Sequence, residues 1–483
     1  FQQGVARVCL RFDLKKEKSV LTQVQDITSP MTLLEKKATW SLAAIYALRM
    51  LGLFMILPVL SLYAEQLDGA TPSLMGLAMS IYGFSQVLLQ IPFGLLSDRY
   101  GRKKIIVFGL LIFALGSVVA AVSTTIYGVL VGRTLQGAGA ISAAVMALVA
   151  DLTQEVHRTK AMAIIGLSIG GSFGIGLIAG PVFSHWFGVP GLFWLTAVLT
   201  LIAVLTIIYV VPDPKQSKLH RDAEFVPSEM MHVLRSPDLL RLDYGIFVLH
   251  MMLTASFVVI PLLLRDTGMA GGQHWQIYLP IFVISMALAV PFVIVAEKKR
   301  KMKSVFLGAI AVVSVAQIGL AQFHDSQIGI IAFLGLFFCG FNLLEATLPS
   351  LISKTAPGDL KGTAMGAYSS SQFLGLAIGG VLGGWCYGEY GANAVFIFCA
   401  AAGLSWFLVS LGMKPPRHLA NLLIAVDMIS SDEADQLVNQ MLTLKGIEDV
   451  TLHYDEGVAY LKVDSQLLDK QQLQQLITQA MPA

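Results

Sequence analysis

The stretch Gly94-Leu-Leu-Ser-Asp98-Arg99-Tyr-Gly101-Arg102-Lys103-Lys104 decides how this chain is read. A long apolar run ends in it, charge crowds in from Asp98 to Lys104, and a second apolar run begins at Ile105. So short a connection between two runs of membrane length is a tight hairpin at a membrane surface. Gly94 and Asp98 are four residues apart and share one helix face. Gly94 is expected to let a neighbouring helix approach closely, with Asp98 at that contact. Gly101 is expected to take a positive φ and end the helix. Arg102, Lys103 and Lys104 belong in the headgroup region on the cytoplasmic side. A basic stop signal that sets topology accounts for the Lys and Arg residues, but not for Asp98 or the two glycines.

Composition agrees. The chain has 483 residues, 55% hydrophobic and only 13% charged, with a mean hydropathy of +0.70. Soluble proteins carry about 25% charged residues, so this is a polytopic membrane protein rather than a soluble enzyme. A net charge of +2 gives no reason to expect a nucleic-acid partner. Cys9, Cys339, Cys386 and Cys399 have no C-x-x-C spacing, so neither a metal site nor a disulfide framework is expected, and no cofactor motif is present.

From Ser41 onward the hydropathy predicts an all-α membrane protein with twelve spans, near 41–63, 73–97, 104–123, 126–150, 161–184, 191–211, 242–264, 276–296, 304–323, 328–352, 363–386 and 394–412. The connections alternate in charge. Lys and Arg crowd one side, and only Arg265 lies on the other. The positive-inside rule then puts both termini in the cytoplasm. The expected domains are an extension over 1–30, a six-helix half over 31–211, a cytoplasmic loop over 212–241, a second six-helix half over 242–413, a linker over 414–419 and a small domain over 420–483. Residues 1–30 look foreign to the rest, and Met31 is a plausible natural start.

The two halves repeat weakly. Phe93 to Lys104 lines up with Phe292 to Lys303, placing Asp98 on Glu297. Ala161, Met162, Ser168, Gly176 and Gly180 line up with Ala364, Met365, Ser371, Gly379 and Gly383. Two parallel pseudo-symmetric halves suit a transporter.

The hairpin, flanked by two spans, resembles the G-x-x-x-D-R-x-G-R-R signature of the major facilitator superfamily, with Lys103 at its last position. The resemblance implies twelve helices, alternating access, no enzymatic activity and a conformational switch at Gly94, Asp98, Arg99, Gly101 and Arg102, which Asp151 joins at the cytoplasmic end of the fourth span. Gly176-Leu-Ile-Ala-Gly180-Pro181 resembles the G-x-x-x-G-P signature of proton-coupled antiporters in that superfamily. Gly166, Gly170 and Gly174 continue the four-residue spacing, which is expected to glue helices together. Arg133-Thr-Leu-Gln136-Gly resembles the superfamily's R-x-x-Q-G signature, in which the arginine is linked to proton transfer.

Ionisable residues inside spans are costly and are functional suspects. Here they are Arg49, Arg133, His250 and Glu345. An arginine keeps its proton, so Arg133 either biases a nearby carboxylate or holds an anionic group. Glu345 is read as the carboxylate well inside a span. It either carries a proton or is a structural pair with Arg49 or His250.

After Pro415-Pro416-Arg417 the chain turns amphipathic. A strand over 421–426, a helix over 432–445, a hairpin of strands over 450–454 and 458–463, and a helix over 470–479 predict a small α+β ferredoxin-like domain. Its order resembles heavy-metal-associated domains, but it has no cysteine and no metal is expected. From residue 419 onward ten acidic residues face three basic ones, a net charge of −7. With its tail, the chain resembles the proton-coupled drug and metabolite antiporters of the superfamily. That implies proton-driven efflux of a small molecule across a bacterial inner membrane, by a monomeric unit. The alternatives are an uptake symporter or facilitator of the same fold, or a membrane sensor regulated by the C-terminal domain.

Overall fold

The computed structural model describes residues 30–214, 229–299, 301–357, 360–414, 420–425, 431–453, 458–464, 467–468 and 472–473. The expectations for residues 1–29, for 215–228 of the central loop, for 415–419 of the linker, for the hairpin tip at 454–457 and for nearly all of the last helix lie outside them.

Among the described residues, ten helical runs are long and apolar enough to cross a membrane. Thr32 opens the first, α1 (Leu33–Ile56), with a capping box. Its hydroxyl accepts from the Glu35 amide at 3.2 Å while its own amide donates to Glu35 Oε2 at 2.8 Å. α1 was expected to run unbroken to residue 63. It stops before Pro58, which has no amide to continue the ladder, and α2 (Leu60–Ala64) follows. Next come α3 (Pro72–Tyr100) and α4 (Arg102–Val122). The fourth predicted span is also broken, into α5 (Ile126–Ala138) and α6 (Ser142–Leu152). The break falls at Gly139, where a side chain would collide with the Gly109 carbonyl on α4.

α7 (Glu155–Tyr209) and α13 (Lys361–Leu411) hold 55 and 51 residues. At 1.5 Å per residue each is over 75 Å long, more than twice a bilayer core of about 30 Å. Each is two helices meeting at one non-helical glycine, Gly188 at φ 67° and Gly391 at φ 79°. Other side chains are strained at such angles, so single residues replace the expected loops. Between them lie α8 (Met230–Leu234), α9 (Pro237–Asp266), α10 (Trp275–Lys298), α11 (Met302–Phe323) and α12 (Gln327–Thr355).

The internal repeat is visible in the packing. Gly176 and Gly180 of α7 seat on the backbone of α1 at Phe54 and Met55, and Gly379 and Gly383 of α13 seat on α9 at Met251 and Ala255. Lys103 Nζ donates to the Val211 carbonyl at 3.0 Å, and Lys303 Nζ to the Leu411 carbonyl at 3.0 Å. These lysines are therefore the structural equivalents, one residue out of step with the alignment that put Lys104 on Lys303. Large apolar side chains such as Leu88, Leu167 and Ile328 stand exposed, as surfaces facing lipid do.

The membrane helices from Lys37 to Leu152 and from Met162 to Arg417 form one compact unit. The C-terminal residues belong to another unit. There β1 (Ala420–Ala425) and β2 (Ile447–His453) both pair antiparallel with a central β3 (Val458–Val463), in the order β1-β3-β2. α14 (Ser431–Thr443) connects β1 to β2 and turns Leu437 and Met441 onto Ile447, Ala459, Leu461 and Val463.

Candidate functional site

α3 ends as the sequence predicts. Gly101 has φ 98° and ψ 131°, its amide still donating to the Ser97 carbonyl at 3.0 Å, and α4 begins at Arg102. Arg102 brings both Asp98 and Asp151 to itself, but unequally. Arg102 is buried and its Nε meets Asp151 Oδ2 at 2.8 Å, with the Asp151 side chain fully buried at the end of α6. Asp98 stands 3.8 Å from the same guanidinium with 47% of its side chain exposed. Asp151, treated from sequence as an accessory, is the close partner, and Asp98 is the loose one. Gly94 also differs: a Cβ there would meet only Ala143 Cβ at 3.4 Å, an ordinary contact, so no neighbouring backbone requires a glycine at that position. Arg99 lies over the ring of its neighbour Tyr100, 5.5 Å from the centroid.

Arg49 and Arg133, the two arginines well inside the spans of the first half, are held without an ion pair among the described residues. Arg49 Nη2 donates to Gln86 Oε1 at 2.8 Å and to the Gly139 carbonyl at 3.1 Å. That carbonyl sits at the α5–α6 break, where backbone groups inside a membrane must find a partner. Gln86 passes a bond on to Ser142 Oγ at 3.3 Å, which also receives the Tyr46 hydroxyl at 2.8 Å. Arg133 Nη1 donates to Gln136 Oε1 at 2.8 Å and Nε to the Ala78 carbonyl at 3.2 Å, while Gln136 donates to Ser117 Oγ at 2.8 Å. Tyr82 lies beside both arginines, its ring centroid 6.0 Å from the Arg49 guanidinium carbon and 5.2 Å from that of Arg133. The suggested Arg49–Glu345 pair is absent; Arg49 braces the helix break instead.

The second six helices hold the acidic groups. Glu345 Oε1 stands 3.4 Å from His250 Nε2. Gln372 Nε2 donates to the same imidazole nitrogen at 2.8 Å, which requires the ring proton on Nδ1, 3.3 Å from the Ile246 carbonyl. In that tautomer His250 has no proton to give Glu345, so any hydrogen bond between them must come from a protonated carboxyl. Glu345 is not the sole deep carboxylate. Asp243 is 5% exposed, and its Oδ1 has no hydrogen-bond partner. The predicted span started at 242 and placed Asp243 at the edge. Pro237 at the first helical position, after Ser236, was the signal that α9 begins a turn and a half earlier.

The halves meet along α3 and α13. Added side-chain carbons at Gly76, Gly380 and Gly384 would collide with backbone across this seam, and Tyr82 meets Phe373 at 6.3 Å between centroids. Phe173 of α7 joins Phe341 and Phe338 of α12 at 5.8 and 6.3 Å. Ser61 Oγ donates to the Phe257 carbonyl at 2.9 Å, and Glu65 pairs with Arg265. These contacts close the end of the bundle away from the signature hairpin. Towards the hairpin, Gly166 and Gly170 face open space, so they are not the helix glue that their spacing suggests. Gly174 abuts the Phe282 ring. Pro181 follows Gly180 within α7, where Gly180 lies against the Met55 carbonyl and Pro58. Among the described residues no three His, Cys, Asp or Glu side chains gather as a metal site would require.

The family model described as "Major Facilitator Superfamily" matches residues 42–379 and 303–426. The chain is 46% identical to "Inner membrane transport protein YajR" of Escherichia coli over 455 residues, covering 93% of this chain and 99% of that protein. It is 24% identical to "Multidrug resistance protein MdtH" of Aeromonas salmonicida over 374 residues, 76% of this chain and 89% of that one. The crystal structure of the human organic anion transporter MFSD10 (TETRAN) superposes with a TM-score of 0.59 at 18% identity, over 78% of this chain and all of that one. With the signature hairpin capped by Gly101, two glycine-seated halves and these matches, the chain belongs to the major facilitator superfamily, as a multi-pass membrane transporter of a small molecule rather than an enzyme.

Proposed function

We propose that this protein is a proton-driven exporter working by alternating access. The observation that carries this reading is Glu345 beside His250: a carboxylate deep in the bundle, one oxygen buried and unpartnered, next to an imidazole whose free nitrogen is already taken by Gln372. Such a carboxyl is fit to be loaded with a proton and emptied of it. Gly176, Gly180 and Pro181, seated on α1, supply the antiporter-type element.

Counting α7 and α13 as two spans each gives twelve, in halves over 31–211 and 242–413 joined by the 212–241 loop. The linker over 414–419 leads to the domain at 420–483, whose β1-β3-β2 order with a crossover helix is that of a ferredoxin-like fold. The basic side is cytoplasmic, with both termini there, in the inner membrane of a bacterium, and the transport unit is a monomer. The arrangement is then inward-facing, closed at the outer end. When the cytoplasmic end closes instead, Asp98 caps the start of α13 near Gly362, where a carboxylate gains about 0.3–2 kcal/mol from the helix dipole.

The experiment is proton flux in proteoliposomes across a panel of small molecules. Export coupled to inward proton movement, abolished by Glu345→Gln with ligand binding retained, is expected. Uptake with co-moving protons, or pumping by Glu345→Gln against a gradient, would overturn the reading.

A further inference from the structure

The acceptor nitrogen of a neutral imidazole holds a single lone pair, and two side chains from two other helices lie against that of His250. Gln372 Nε2 donates to it at 2.8 Å and so ties α13 to α9. Glu345 Oε1, on α12, stands 3.4 Å from the same nitrogen and has no hydrogen-bond partner. The other ring nitrogen is turned to the Ile246 carbonyl at 3.3 Å, and Phe341 packs on the ring at 5.9 Å between centroids. While Glu345 is ionised it has no proton to donate, and Gln372 keeps the imidazole. Once Glu345 Oε1 carries a proton, the nitrogen has two donors and room for one. The surroundings decide which donor leaves. The bond to His250 gives the buried Oε1 the partner that it lacks, and a carboxyl O–H makes a shorter bond than an amide N–H. Gln372 is only half-buried and can turn its amide to water. The proton has access, because the Glu345 side chain is 31% exposed.

Gln372 sits where this exchange is felt by both halves. Outward of it α13 is seated on α9, with Gly375 against the Phe247 carbonyl and Gly379 against that of Met251. The next residue, Phe373, touches the first half: its ring meets Tyr82 and its carbonyl lies against Gly83. In the other direction α13 runs eleven residues, about 16 Å, to its start at Lys361. Other groups leave the imidazole alone. Arg241 is taken by Asp238 at 2.6 Å, Lys354 by Glu297 at 2.6 Å and the Tyr244 hydroxyl by Ser405 at 2.6 Å. Asp243 and Tyr368 are buried on α9 and α13, but neither Asp243 Oδ1 nor the Tyr368 hydroxyl bonds to the ring. α10 brings Ser285, which receives Asn342 at 2.8 Å.

We infer that Gln372 is a positioning residue that locks the empty transporter: its bond to His250 ties α13 to α9 while Glu345 is ionised, and a proton on Glu345 takes the imidazole and releases the tie. The inference rests on the reading of Glu345 as the carrier. Exchange of substrate for proton requires that the protein loaded with neither does not change sides, since an empty carrier that crosses lets protons through alone. In the loading step a hydronium ion gives its proton to Glu345 Oε1 and leaves as water. The new O–H donates to His250 Nε2, and the Gln372 amide turns away with both its protons. No covalent bond of His250 or Gln372 changes, and unloading runs the same steps backwards.

The test uses the full-length protein in proteoliposomes, with an imposed pH gradient and no substrate. Gln372→Met, which keeps the length of the side chain and removes the donor, should raise the proton flux at least ten-fold over wild type. Adding Glu345→Gln should return it to the wild-type level. Should Gln372→Met fail to fold, Gln372→Leu carries the same test. Nitrogen-15 magnetic resonance of labelled histidine in lipid gives a second readout, with His250 assigned by its loss in His250→Gln. Gln372→Met should shift the His250 Nε2 resonance at high pH, where Glu345 is ionised, and leave it unchanged at low pH, where the Glu345 proton holds the nitrogen. Wild-type flux in Gln372→Met, or a resonance shifted at both pH values or at neither, overturns the lock and leaves the carrier reading standing. A leak that survives Glu345→Gln does not run through this site and also overturns the lock. Pumping against a gradient by Glu345→Gln alone overturns both.

Discussion

The Nε of Arg102 lies 2.8 Å from Oδ2 of Asp151, with both side chains buried, across 49 residues of chain. This pair joins the start of α4 to the end of α6 and fixes the signature hairpin to its own half. Breaking a buried pair by removing one partner costs about 3–5 kcal/mol where nothing else answers the remaining charge, and less for Asp151→Asn, because Asp98 stays 3.8 Å from Arg102. Asp151→Asn and Arg102→Ala should each lower the thermal midpoint in detergent accordingly, and the double variant should cost less than their sum. Asp98→Asn should leave the midpoint within about 1 kcal/mol, since Asp98 is half exposed, and should cripple transport instead. Wild-type transport by Asp98→Asn would sink the switch assignment.

Arg49 offers a separate check on structure against chemistry. Arg49→Met strands Gln86 Oε1 and the carbonyl at the α5–α6 break. An expected loss of about 1–3 kcal/mol should appear in the unfolding midpoint. Arg49→Lys should rescue little of it, because a point charge does not replace a planar fork of donors. An unchanged midpoint in Arg49→Met contradicts the bracing role.

The glycines of α7 should divide by position. Gly176→Ala places a carbon 2.7 Å from Phe54 Cβ and 2.9 Å from its backbone carbon, and Gly180→Ala puts one against the Met55 carbonyl. Both should lose folded protein in membranes. Gly166→Ala and Gly170→Ala meet nothing and should express as wild type. Equal yields from all four variants would contradict the packing described.

The closed end of the bundle should open when wedged. Gly76→Val meets the Gly384 Cα at 2.8 Å and the Gly380 carbonyl, which cannot move aside as a side chain can. A cysteine placed at Ser80 should then react faster with a membrane-impermeant maleimide. Arg265→Ala should act in the same direction but weakly. Its pair with Glu65 is about two-fifths exposed on both sides and worth about 0.2–1 kcal/mol. That shifts the population no more than about five-fold, and by less in high salt. A slower maleimide reaction in Gly76→Val would reverse the assignment of the closed end.

The sequence alone determined the membrane character, the existence of apolar runs of membrane length, the hairpin and its glycine stop, and the strand-helix-strand start of the tail. Each depends on neighbours within a few turns: hydropathy over about twenty residues, charge at the ends of runs, the missing side chain at Gly101. What escaped it depends on residues brought together from far along the chain. Whether Arg102 would choose Asp98 or Asp151 depended on where α6 ends, and the task of Arg49 depended on a helix break ninety residues away. Gly166 and Gly176 look alike at four-residue spacing, yet one faces open space and the other the backbone of α1. Asp243 reads as a boundary charge until α9 is seen to begin at Pro237 and the residue is found only 5% exposed. The strength of a buried charge is set by which groups replace its lost water. In a bundle of helices those groups come from other helices, and only the tertiary structure decides which ones they are.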